Sequence, residues 1–443
     1  MKIFGSVYIN KYFYFAIISL AVLYVFGYFI PAIYPAAKLM LIAFVVLCTI
    51  DLLLLFSIKK GITAVRIAPE KLSNGDENPI QIKLQSTYRI KLNAEIIDEI
   101  PYQFQFRDFC IRLKIDAGVD KTYSYSLKPF ERGEYTFGKL RVYVNTDIHF
   151  FSRRFIYMEE VTVPVYPSFL QMRKYELLAI SNRLNEAGIK KVRTIGRNFE
   201  FDQIRKYNTD DDYRTINWKA TARKGDLMVN QYEQERSQQI YSLIDMGRTM
   251  KMPFEGMTLL DYAINSSLVI SNIALLKHDK AGLLTFTENI HTFLQADRKK
   301  IQIRKIMELL YNQETNFSES NYELLYNKIK RSVSQRSLLL LYSNFESLTS
   351  MERQLGFLKL LAQNHLLVVI FFVNTEIQKL LKSKTSNLEE IYIKTIAEKL
   401  VLEKKIIVKE LNKNGIYTIL TEPKNLSVST INKYLELKSL GLI

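Results

Sequence analysis

The hydrophobic pattern of the first sixty residues differs from that of the rest of the chain. Two almost wholly apolar runs, Tyr12–Ile30 and Leu39–Phe56, are each about as long as a helix that crosses the hydrocarbon core of a bilayer. The turn between them, Pro31–Lys38, contains two prolines. A second run so soon after the first argues against a cleaved signal peptide. The pattern therefore predicts a two-helix transmembrane hairpin over residues 12–57.

Charges around the hairpin predict its orientation. Basic residues flank its outer sides at Lys2, Lys11, Lys59, Lys60 and Arg66. The turn contains Lys38 alone. By the positive-inside rule both ends of the hairpin face the cytoplasm. We therefore expect a two-pass protein of a bacterial inner (cytoplasmic) membrane, with a cytoplasmic segment over residues 1–11 and its soluble domains in the cytoplasm.

Asp51 is an acidic residue inside the second apolar run. A charge within a bilayer is costly and is by default a sign of function. Asp51 lies about two helical turns from Lys59, so it can approach the cytoplasmic interface. The first run offers no charged partner that would complete a transport path. We therefore interpret Asp51 as a residue near the interface.

Residues 62–168 change to a period of two, in which apolar and polar positions alternate. This alternation predicts strands at Ile80–Gln85, Ala94–Ile97, Phe109–Ile115, Thr122–Leu127 and Val161–Tyr166. Turn residues separate them, as in Ser73–Asp76 and Glu131–Glu134. Short strands at this spacing predict an antiparallel, β-sandwich-like domain. No pattern in it indicates catalysis, so we expect a spacer or an interaction module.

Beyond residue 236, buried strands alternate with helices. Strand patterns occur at Gln239–Ile244, Gly282–Phe286, Leu338–Tyr342, Leu366–Val373 and Gly415–Leu420. Helical patterns occur at Leu259–Leu276, Lys299–Tyr311, Met351–Asn364, Leu388–Val408 and Val428–Leu440. The alternation predicts an α/β doubly wound domain over residues 237–443, with a parallel sheet covered on both faces. Ligands of such sheets bind at the carboxyl ends of the strands.

Composition excludes several classes of protein. A chain of 443 residues predicts two or three folded units. Its two cysteines, Cys48 and Cys110, and four histidines form neither a disulfide framework nor a zinc-ligand pattern. The sequence also lacks a phosphate-binding GxxxxGK[ST] loop and a nucleophile elbow. We therefore expect a protein that is not an enzyme and has no cofactor, and we assign no catalytic residue.

The formal charge of +16 allows two interpretations. Clustered Lys and Arg can neutralise the phosphates of a nucleic acid. Basic residues are also attracted to anionic lipid headgroups. Here they are spread along the chain, with short clusters at Arg298–Arg304 and Lys328–Arg336. Because the hairpin already predicts a bilayer, we favour the lipid interpretation and expect no nucleic acid partner.

The most distinctive stretch, Arg205–Arg236, lies in a connecting segment over residues 169–236. Its consecutive acids Asp210–Asp212, with Arg214 and Lys219, could serve a hydrolase as a general acid and base. Consecutive side chains point apart, however, and rarely converge on one atom. We therefore favour a structural interpretation, in which these acids and arginines pair and cap an irregular segment. In that interpretation Trp218 is a large apolar anchor.

This stretch resembles the domain-of-unknown-function family 58, whose motif runs roughly Tyr-x-x-Gly-Asp-Asp-x-Arg-x-Ile-Asn-Trp-Lys-Ala-Thr-Ala-Arg. The signature residues shared with that motif include Tyr207, Asp211, Asp212, Arg214, Asn217, Trp218, Lys219, Thr221 and Arg223. Asp210 replaces the glycine of the motif, which leaves a positive φ angle there in doubt. The resemblance extends to the paired apolar runs, Arg132–Gly138 and Val163–Pro167.

The last domain resembles the von Willebrand factor A domain. Asp245 and Thr249, at the end of the first α/β strand, match the Asp-x-Ser-x-Ser motif that surrounds Mg²⁺ in such domains. Gly247 lacks the hydroxyl of the motif, and Asn344 is neutral where such domains often carry an acid. We therefore expect a degenerate site in which Mg²⁺ is possible but poorly held, and in which Asp245 binds nearby N–H groups instead.

The resemblance implies a function through partners. Members of family 58 are often linked with MoxR-type AAA+ ATPases and other von Willebrand factor A proteins. It therefore implies a membrane-tethered scaffold or adaptor that assists the assembly or activation of a protein complex. The alternatives are a hydrolase that uses Asp210–Asp212 and a basic protein that binds nucleic acid.

Overall fold

The computed structural model describes residues 6–59, 61–107, 109–157, 160–180, 188–189, 200–208, 211, 213–233, 237–383 and 387–443. The chain divides into two compact units, Met1–Tyr166 and Pro167–Ile443. This division differs from the predicted domains in two respects. The hairpin belongs to the same unit as the sandwich, and the connecting segment belongs to the same unit as the α/β domain.

The first unit begins with strand β1 (Val7–Ile9) and two helices, α1 (Lys11–Phe29) and α2 (Tyr34–Phe56). Helix α1 ends directly before Pro31, which cannot continue the helical hydrogen bonding. Helix α2 has a proline in its first turn, where no donor is needed. Both helices are long and apolar enough to cross a membrane, and few of their residues are buried.

Asp51 lies at the junction between the hairpin and the sandwich. Its side chain is fully buried. The carboxylate accepts hydrogen bonds from the Thr146 hydroxyl, the Phe150 N–H at 3.2 Å and the Phe151 N–H at 3.0 Å. Our interpretation of Asp51 as an interfacial residue is therefore incomplete, because donors from the sandwich satisfy this acid within the protein.

Arg153 fixes the end of helix α2 to the sandwich. Its guanidinium donates to the backbone oxygens of Leu55 at 2.7 Å, Ile58 at 2.6 Å and Lys59 at 2.8 Å. A helix leaves its last carbonyl groups without partners, and a cation there is favourable. The hydroxyl of Tyr88 also donates to the Leu55 oxygen. These contacts explain why the hairpin and the sandwich form one unit.

The sandwich contains the remaining strands of the first unit. They are β2 (Ile62–Ile67), β3 (Leu72–Ser73), β4 (Asn78–Ser86), β5 (Leu92–Asp98), β6 (Cys110–Ile115), β7 (Asp120–Leu127), β8 (Gly133–Phe137), β9 (Leu140–Asn145), β10 (Phe151–Tyr157) and β11 (Val161–Tyr166). Among the described residues the strand orders are β1-β10-β9-β5-β6, β2-β4-β7 and β3-β11-β8. Pairing is antiparallel except between β3 and β11. Apolar residues of β2 and β4 pack against those of β5, β6 and β9, as expected of a sandwich.

The second unit begins with elements from the connecting segment. They are α3 (Phe169–Ile180), β12 (Glu200–Lys206), α4 (Trp218–Lys224) and β13 (Met228–Glu233). The α/β domain follows with β14 (Gln239–Asp245), β15 (Pro253–Phe254), β16 (Met257–Thr258), α5 (Leu259–Leu276), β17 (Lys280–Phe286), β18 (Ile290–Asp297), α6 (Ile301–Tyr311) and α7 (Tyr322–Ser332). It ends with β19 (Leu338–Tyr342), α8 (Leu348–Asn364), β20 (Leu366–Phe372), α9 (Thr375–Lys382), α10 (Leu388–Lys413), β21 (Tyr417–Thr421) and α11 (Leu426–Ser439).

The main sheet of the second unit has the order β18-β17-β14-β19-β20-β21 in the described part of the chain. All neighbours are parallel except β17 and β18. This order confirms the predicted doubly wound fold, and the antiparallel edge strand β18 was not predicted. Alternate residues of each central strand enter two apolar clusters, one on each face of the sheet.

Helix α5 is a third helix that is long and apolar enough to cross a membrane, within the described residues. Unlike α1 and α2, it has 83% of its apolar window buried inside the protein. Thr258 and Asp261 form a capping box at its start, with the Asp261 N–H donating to the Thr258 hydroxyl at 3.1 Å. Helix α5 is therefore a core helix of the α/β domain.

Candidate functional site

The signature motif builds a short helix that is capped at both ends. The Asn217 side chain accepts a hydrogen bond from the Ala220 N–H at 3.0 Å and thereby caps the start of α4. Gly225 ends the helix with a φ angle of 75°, which glycine adopts without strain. The motif therefore supplies a favourable residue at each end of α4, Asn217 at the start and Gly225 at the end.

Two further contacts fix α4 against strand β13. The Asn217 amide donates to the Asn230 side chain at 2.7 Å. The Thr221 hydroxyl donates to the Asn217 backbone oxygen at 2.9 Å and accepts from the Met228 N–H at 3.0 Å. The Tyr207 N–H donates to the backbone oxygen of Leu227, the residue before β13, at 2.9 Å. Asn217 and Thr221 are therefore structural residues of the motif.

Asp211 has a partner of the kind that the sequence indicated. Its two carboxylate oxygens accept from the Arg205 guanidinium at 2.8 Å and 2.5 Å. The Asn208 N–H also donates to this carboxylate, at 2.8 Å. The hydrogen bond from Arg205 holds the pKa of the Asp211 carboxyl below its ordinary value. Asp210 and Asp212 lie outside the described residues.

Trp218 is not the buried anchor that the sequence predicted. It is the single tryptophan of the chain, and 69% of it is exposed. Tyr213 is exposed to a similar degree, 68%. Trp218 is the first residue of α4, and its side chain lies mostly in solvent instead of in the core.

Three basic residues of the motif are also exposed. They are Arg214, Lys219 and Arg223, and the Arg214 guanidinium lies 5.6 Å from the centre of the Tyr213 ring. Lys219 and Arg223 are four residues apart and therefore share one face of α4. We call Tyr213, Arg214, Trp218, Lys219 and Arg223 the signature surface. Aromatic rings and guanidinium groups that a rigid element holds in solvent are typical of protein-binding surfaces.

The predicted degenerate metal site lies at the carboxyl end of β14. Asp245 is 2% exposed, and both of its oxygens accept hydrogen bonds from within the protein. One oxygen accepts from the Gly247 N–H at 2.8 Å and from the Ser320 hydroxyl. The other accepts from the hydroxyls of Ser343 at 2.7 Å and Tyr322 at 3.2 Å. We call Asp245, Ser320, Tyr322 and Ser343 the hydroxyl cluster.

Burial and hydrogen bonding have opposite effects on the pKa of the Asp245 carboxyl. Burial raises the pKa of the Asp245 carboxyl above its ordinary value. The hydrogen bonds from Ser320, Ser343, the Gly247 N–H and Tyr322 act in the opposite direction. Asp245 also raises the pKa of the buried Tyr322 hydroxyl, after burial itself. The cluster is therefore a network whose donors already satisfy the acid.

The space around Gly247 accounts for the absence of the serine that the Asp-x-Ser-x-Ser motif has at this position. A Cβ atom on Gly247 would lie 2.1 Å from the Ser320 hydroxyl oxygen, which is too close for any side chain. The hydroxyl that the Asp-x-Ser-x-Ser pattern supplies from its third position comes here from Ser320. A serine at position 247 and a serine at position 320 exclude each other in this geometry.

The other predicted residues do not complete a cation site. Thr249 accepts a bond from the Asn344 amide only through its backbone oxygen, at 3.3 Å. The Asn344 side-chain oxygen accepts from the Lys404 ammonium at 2.6 Å. In the described part of the chain, no group of three or more His, Cys, Asp or Glu residues could hold a metal ion. The residues at this edge therefore do not fit Mg²⁺, which requires several oxygen ligands in octahedral array.

Ser320, Tyr322, Ser343 and Lys404 were not predicted from the sequence as partners of Asp245 and Asn344. Ser320 and Tyr322 are 75 and 77 residues from Asp245, and Lys404 is 60 residues from Asn344. Strand order alone could have located Ser343, because β14 and β19 are neighbours and Ser343 directly follows β19. Of the other three residues, Ser320 lies in a loop, Tyr322 begins α7 and Lys404 lies in α10, and local sequence patterns do not bring these elements together.

Comparisons with known proteins agree with the signature motif. A family model described as "Protein of unknown function DUF58" matches residues 203–390. The uncharacterized protein YeaD of Bacillus subtilis (strain 168) is 28% identical over 126 residues, which are 28% of this chain. The match spans 31% of that relative, or about a third of its length.

Among solved structures, the conserved hypothetical protein BatB from Bacteroides thetaiotaomicron is 11% identical with a TM-score of 0.32. The likeness covers 46% of this chain and 100% of that chain. The SpRpn10 VWA domain is 11% identical with a TM-score of 0.28, covering 44% of this chain and 94% of that domain. A PapD-like domain of human CEP192 is 11% identical with a TM-score of 0.20, covering 25% of this chain and 87% of that domain.

Proposed function

The DUF58 model, described as a protein of unknown function, matches residues 203–390 of this chain, so we propose a role for the chain from its own geometry. We propose a membrane-anchored, non-catalytic adaptor that binds a protein partner through the signature surface. The observation that carries this proposal is the exposure of Tyr213 and of Trp218, the latter on a helix with both ends capped. Large exposed rings beside arginines supply most of the binding energy in many interfaces.

The membrane part of the proposal is supported by α1 and α2. Their length, their apolar composition and their low burial suit a two-pass anchor. The basic residues outside the hairpin favour a cytoplasmic side for both ends. The contacts of Asp51 with the sandwich, and of the sandwich residue Arg153 with the end of α2, would hold such an anchor against the rest of the first unit.

The hydrogen bonding of the two candidate catalytic acids, Asp211 and Asp245, supports the non-catalytic part of the proposal. Asp211 is paired with Arg205, and donors within the protein surround Asp245. A general base needs an oxygen that is free to reach a substrate proton. A binding role for the α/β domain would therefore be independent of a metal ion.

The partner that the family resemblance suggests is a MoxR-type AAA+ ATPase, together with other von Willebrand factor A proteins. We propose the same partner class for this chain. An adaptor at the cytoplasmic face would hold such an ATPase close to the membrane, where it could act on a membrane-bound complex.

Co-purification from mild detergent tests this function. The full chain and its Trp218→Ala variant would be isolated from cells that contain a MoxR-type ATPase, with Tyr102→Ala as the matched control. Tyr102 is an aromatic residue of the first unit and is 85% exposed. We expect the ATPase to accompany the unaltered chain and the control but not Trp218→Ala. Equal recovery with all three proteins would contradict the proposal.

Nucleic acid binding is a second candidate, because exposed rings beside basic residues also bind single strands. Its signature is a loss of retention as salt is added. Retention of single-stranded DNA or RNA at low salt, lost in Trp218→Ala, would favour this function over an adaptor. We expect no such retention.

A further inference from the structure

A cavity separate from the signature surface opens at the carboxyl edge of the main sheet. Its volume is about 270 Å³. One wall is the segment Met252–Phe254, and the others come from the ends of β20 and β21 and from helices α9 and α10. The apolar side chains of this lining include Met252, Phe254, Leu259, Phe372, Ile377 and Leu400. Ligands of doubly wound sheets bind at this edge.

Lys404 of helix α10 gives the cavity a specific chemistry. Its ammonium group donates to the Asn344 side-chain oxygen at 2.6 Å and to the Phe345 backbone oxygen at 2.5 Å. Both acceptors are neutral, and no described carboxylate forms an ion pair with it. The ring centre of Phe371 lies 5.8 Å from the ammonium nitrogen. A partly buried cation with neutral partners leaves its charge available for an anion from outside.

The remaining charged residues of the cavity lie at its rim. Glu346, Glu376 and Lys405 are exposed to solvent, which screens their charges. Glu346 is the nearest influence on Lys404 and favours its charged form, but burial is stronger and lowers the pKa of Lys404 to about 8. Near neutral pH, Lys404 is therefore the charged group inside the cavity.

Helix α10 extends the apolar surface beyond the cavity. Its first half exposes Tyr392 by 69%, Ile396 by 46% and Leu400 by 40%, and Leu400 also lines the cavity. The volume lies just below the range of about 300–1,000 Å³ that small-molecule sites occupy. A small cavity that continues into an exposed apolar helix face suits side chains of a peptide better than a whole cofactor.

We propose that this cavity binds an acidic, apolar peptide segment of a partner protein, with a peptide carboxylate pairing with Lys404 and an apolar side chain in the cavity. This site is independent of the signature surface, so either proposal can fail alone. The carboxylate would replace the neutral oxygens as the strongest partner of Lys404, because the attraction between opposite charges adds to the hydrogen bond.

Fluorescence anisotropy tests the site with defined probes. The full chain would be placed in nanodiscs of neutral phosphatidylcholine, with empty nanodiscs as the blank. The probes are a labelled hexapeptide of leucine and phenylalanine with one central glutamate, and the same peptide with glutamine. We expect the glutamate peptide to bind about tenfold more tightly, because its carboxylate adds a charge attraction to Lys404 that the glutamine amide lacks; tenfold is about 1.4 kcal/mol.

Two variants and a pH series locate the effect. Lys404→Met keeps the length and apolar stem of the side chain and should abolish the preference for glutamate, whereas Lys405→Met at the rim should retain it. The preference should also decrease as the pH rises through 8 and Lys404 loses its charge.

Equal binding of both peptides to the unaltered chain would overturn the proposal. Displacement of the glutamate peptide by millimolar octanoate, with tighter octanoate binding, would overturn the peptide as the occupant.

Discussion

The signature surface and the hydroxyl cluster lie in the same unit of the chain but treat their polar residues in opposite ways. In the signature motif, Asn217 and Thr221 form the structural hydrogen bonds. Trp218 and Tyr213 of the signature surface remain in solvent. The hydroxyl cluster buries Asp245 and surrounds it with donors. The comparison teaches that the residues suited to binding are the exposed ones, although Asp245 lies where related folds bind their ligands.

Asp245→Ala should have the largest effect on stability. It leaves the hydroxyls of Ser320, Tyr322 and Ser343 without their common acceptor in a buried site. Each such loss costs about 1–3 kcal/mol, so we expect about 3 kcal/mol or more in the free energy of unfolding. Thermal unfolding of the full chain in mild detergent measures it.

Thr249→Ala is the matched control for Asp245→Ala. Thr249 accepts from the Asn344 amide through its backbone oxygen, so removing its side-chain hydroxyl should shift the unfolding temperature little. Similar shifts for both variants, together with stabilisation of the unaltered chain by Mg²⁺, would instead show that Asp245 and Thr249 form a metal site.

Gly247→Ser should be the next largest effect. The new side chain restores the hydroxyl of the related motif but collides with Ser320. Overpacking of this kind costs about 1–3 kcal/mol. We expect the double variant Gly247→Ser, Ser320→Gly to recover most of the lost stability in the same unfolding assay. A single variant as stable as the unaltered chain would show that position 247 has more space than the structure gives it.

Asn217→Ala should have a smaller and local effect. It removes the cap of α4 and the contact with Asn230, and the loss of a helix cap costs about 1 kcal/mol. Hydrogen exchange of the amides in α4 should become faster, while exchange in α5 stays unchanged. Faster exchange in both helices would mean that α4 is coupled to the core of the α/β domain.

Trp218→Ala should have the smallest effect on folding. A substitution at an exposed site usually changes stability by less than about 0.5 kcal/mol. The unfolding temperature should therefore match that of the unaltered chain even though partner binding is lost. A clear fall in that temperature would restore the interpretation of Trp218 as an apolar anchor.

Much of the α/β fold could be predicted because its strands are buried on both faces and form continuous apolar runs. Leu338–Tyr342 and Leu259–Leu276 were located to the residue. Strand β18 was missed because it is an edge strand whose residues are only partly buried. In the sandwich, strand β2 has a clear alternation, but its position directly after the apolar runs obscured it.

The candidate sites were less accessible to sequence reasoning. The role of Asp211 followed from local pairing with Arg205, six residues away. The exposure of Trp218 did not, because tryptophan is an apolar residue and only the position of α4 decides which way it faces. The partners of Asp245 and Asn344 are brought together by the tertiary fold across 60–98 residues.

Trp218 also provides the sharpest test of these conclusions, because it is the single tryptophan and reports on its own surroundings. Its fluorescence would be recorded from the full chain in mild detergent during titration with acrylamide, before and after a MoxR-type ATPase that lacks tryptophan is added. We predict red-shifted emission that acrylamide quenches readily, followed by a blue shift and protection when the ATPase binds. Blue-shifted emission protected from acrylamide in the isolated chain would contradict the exposed signature surface.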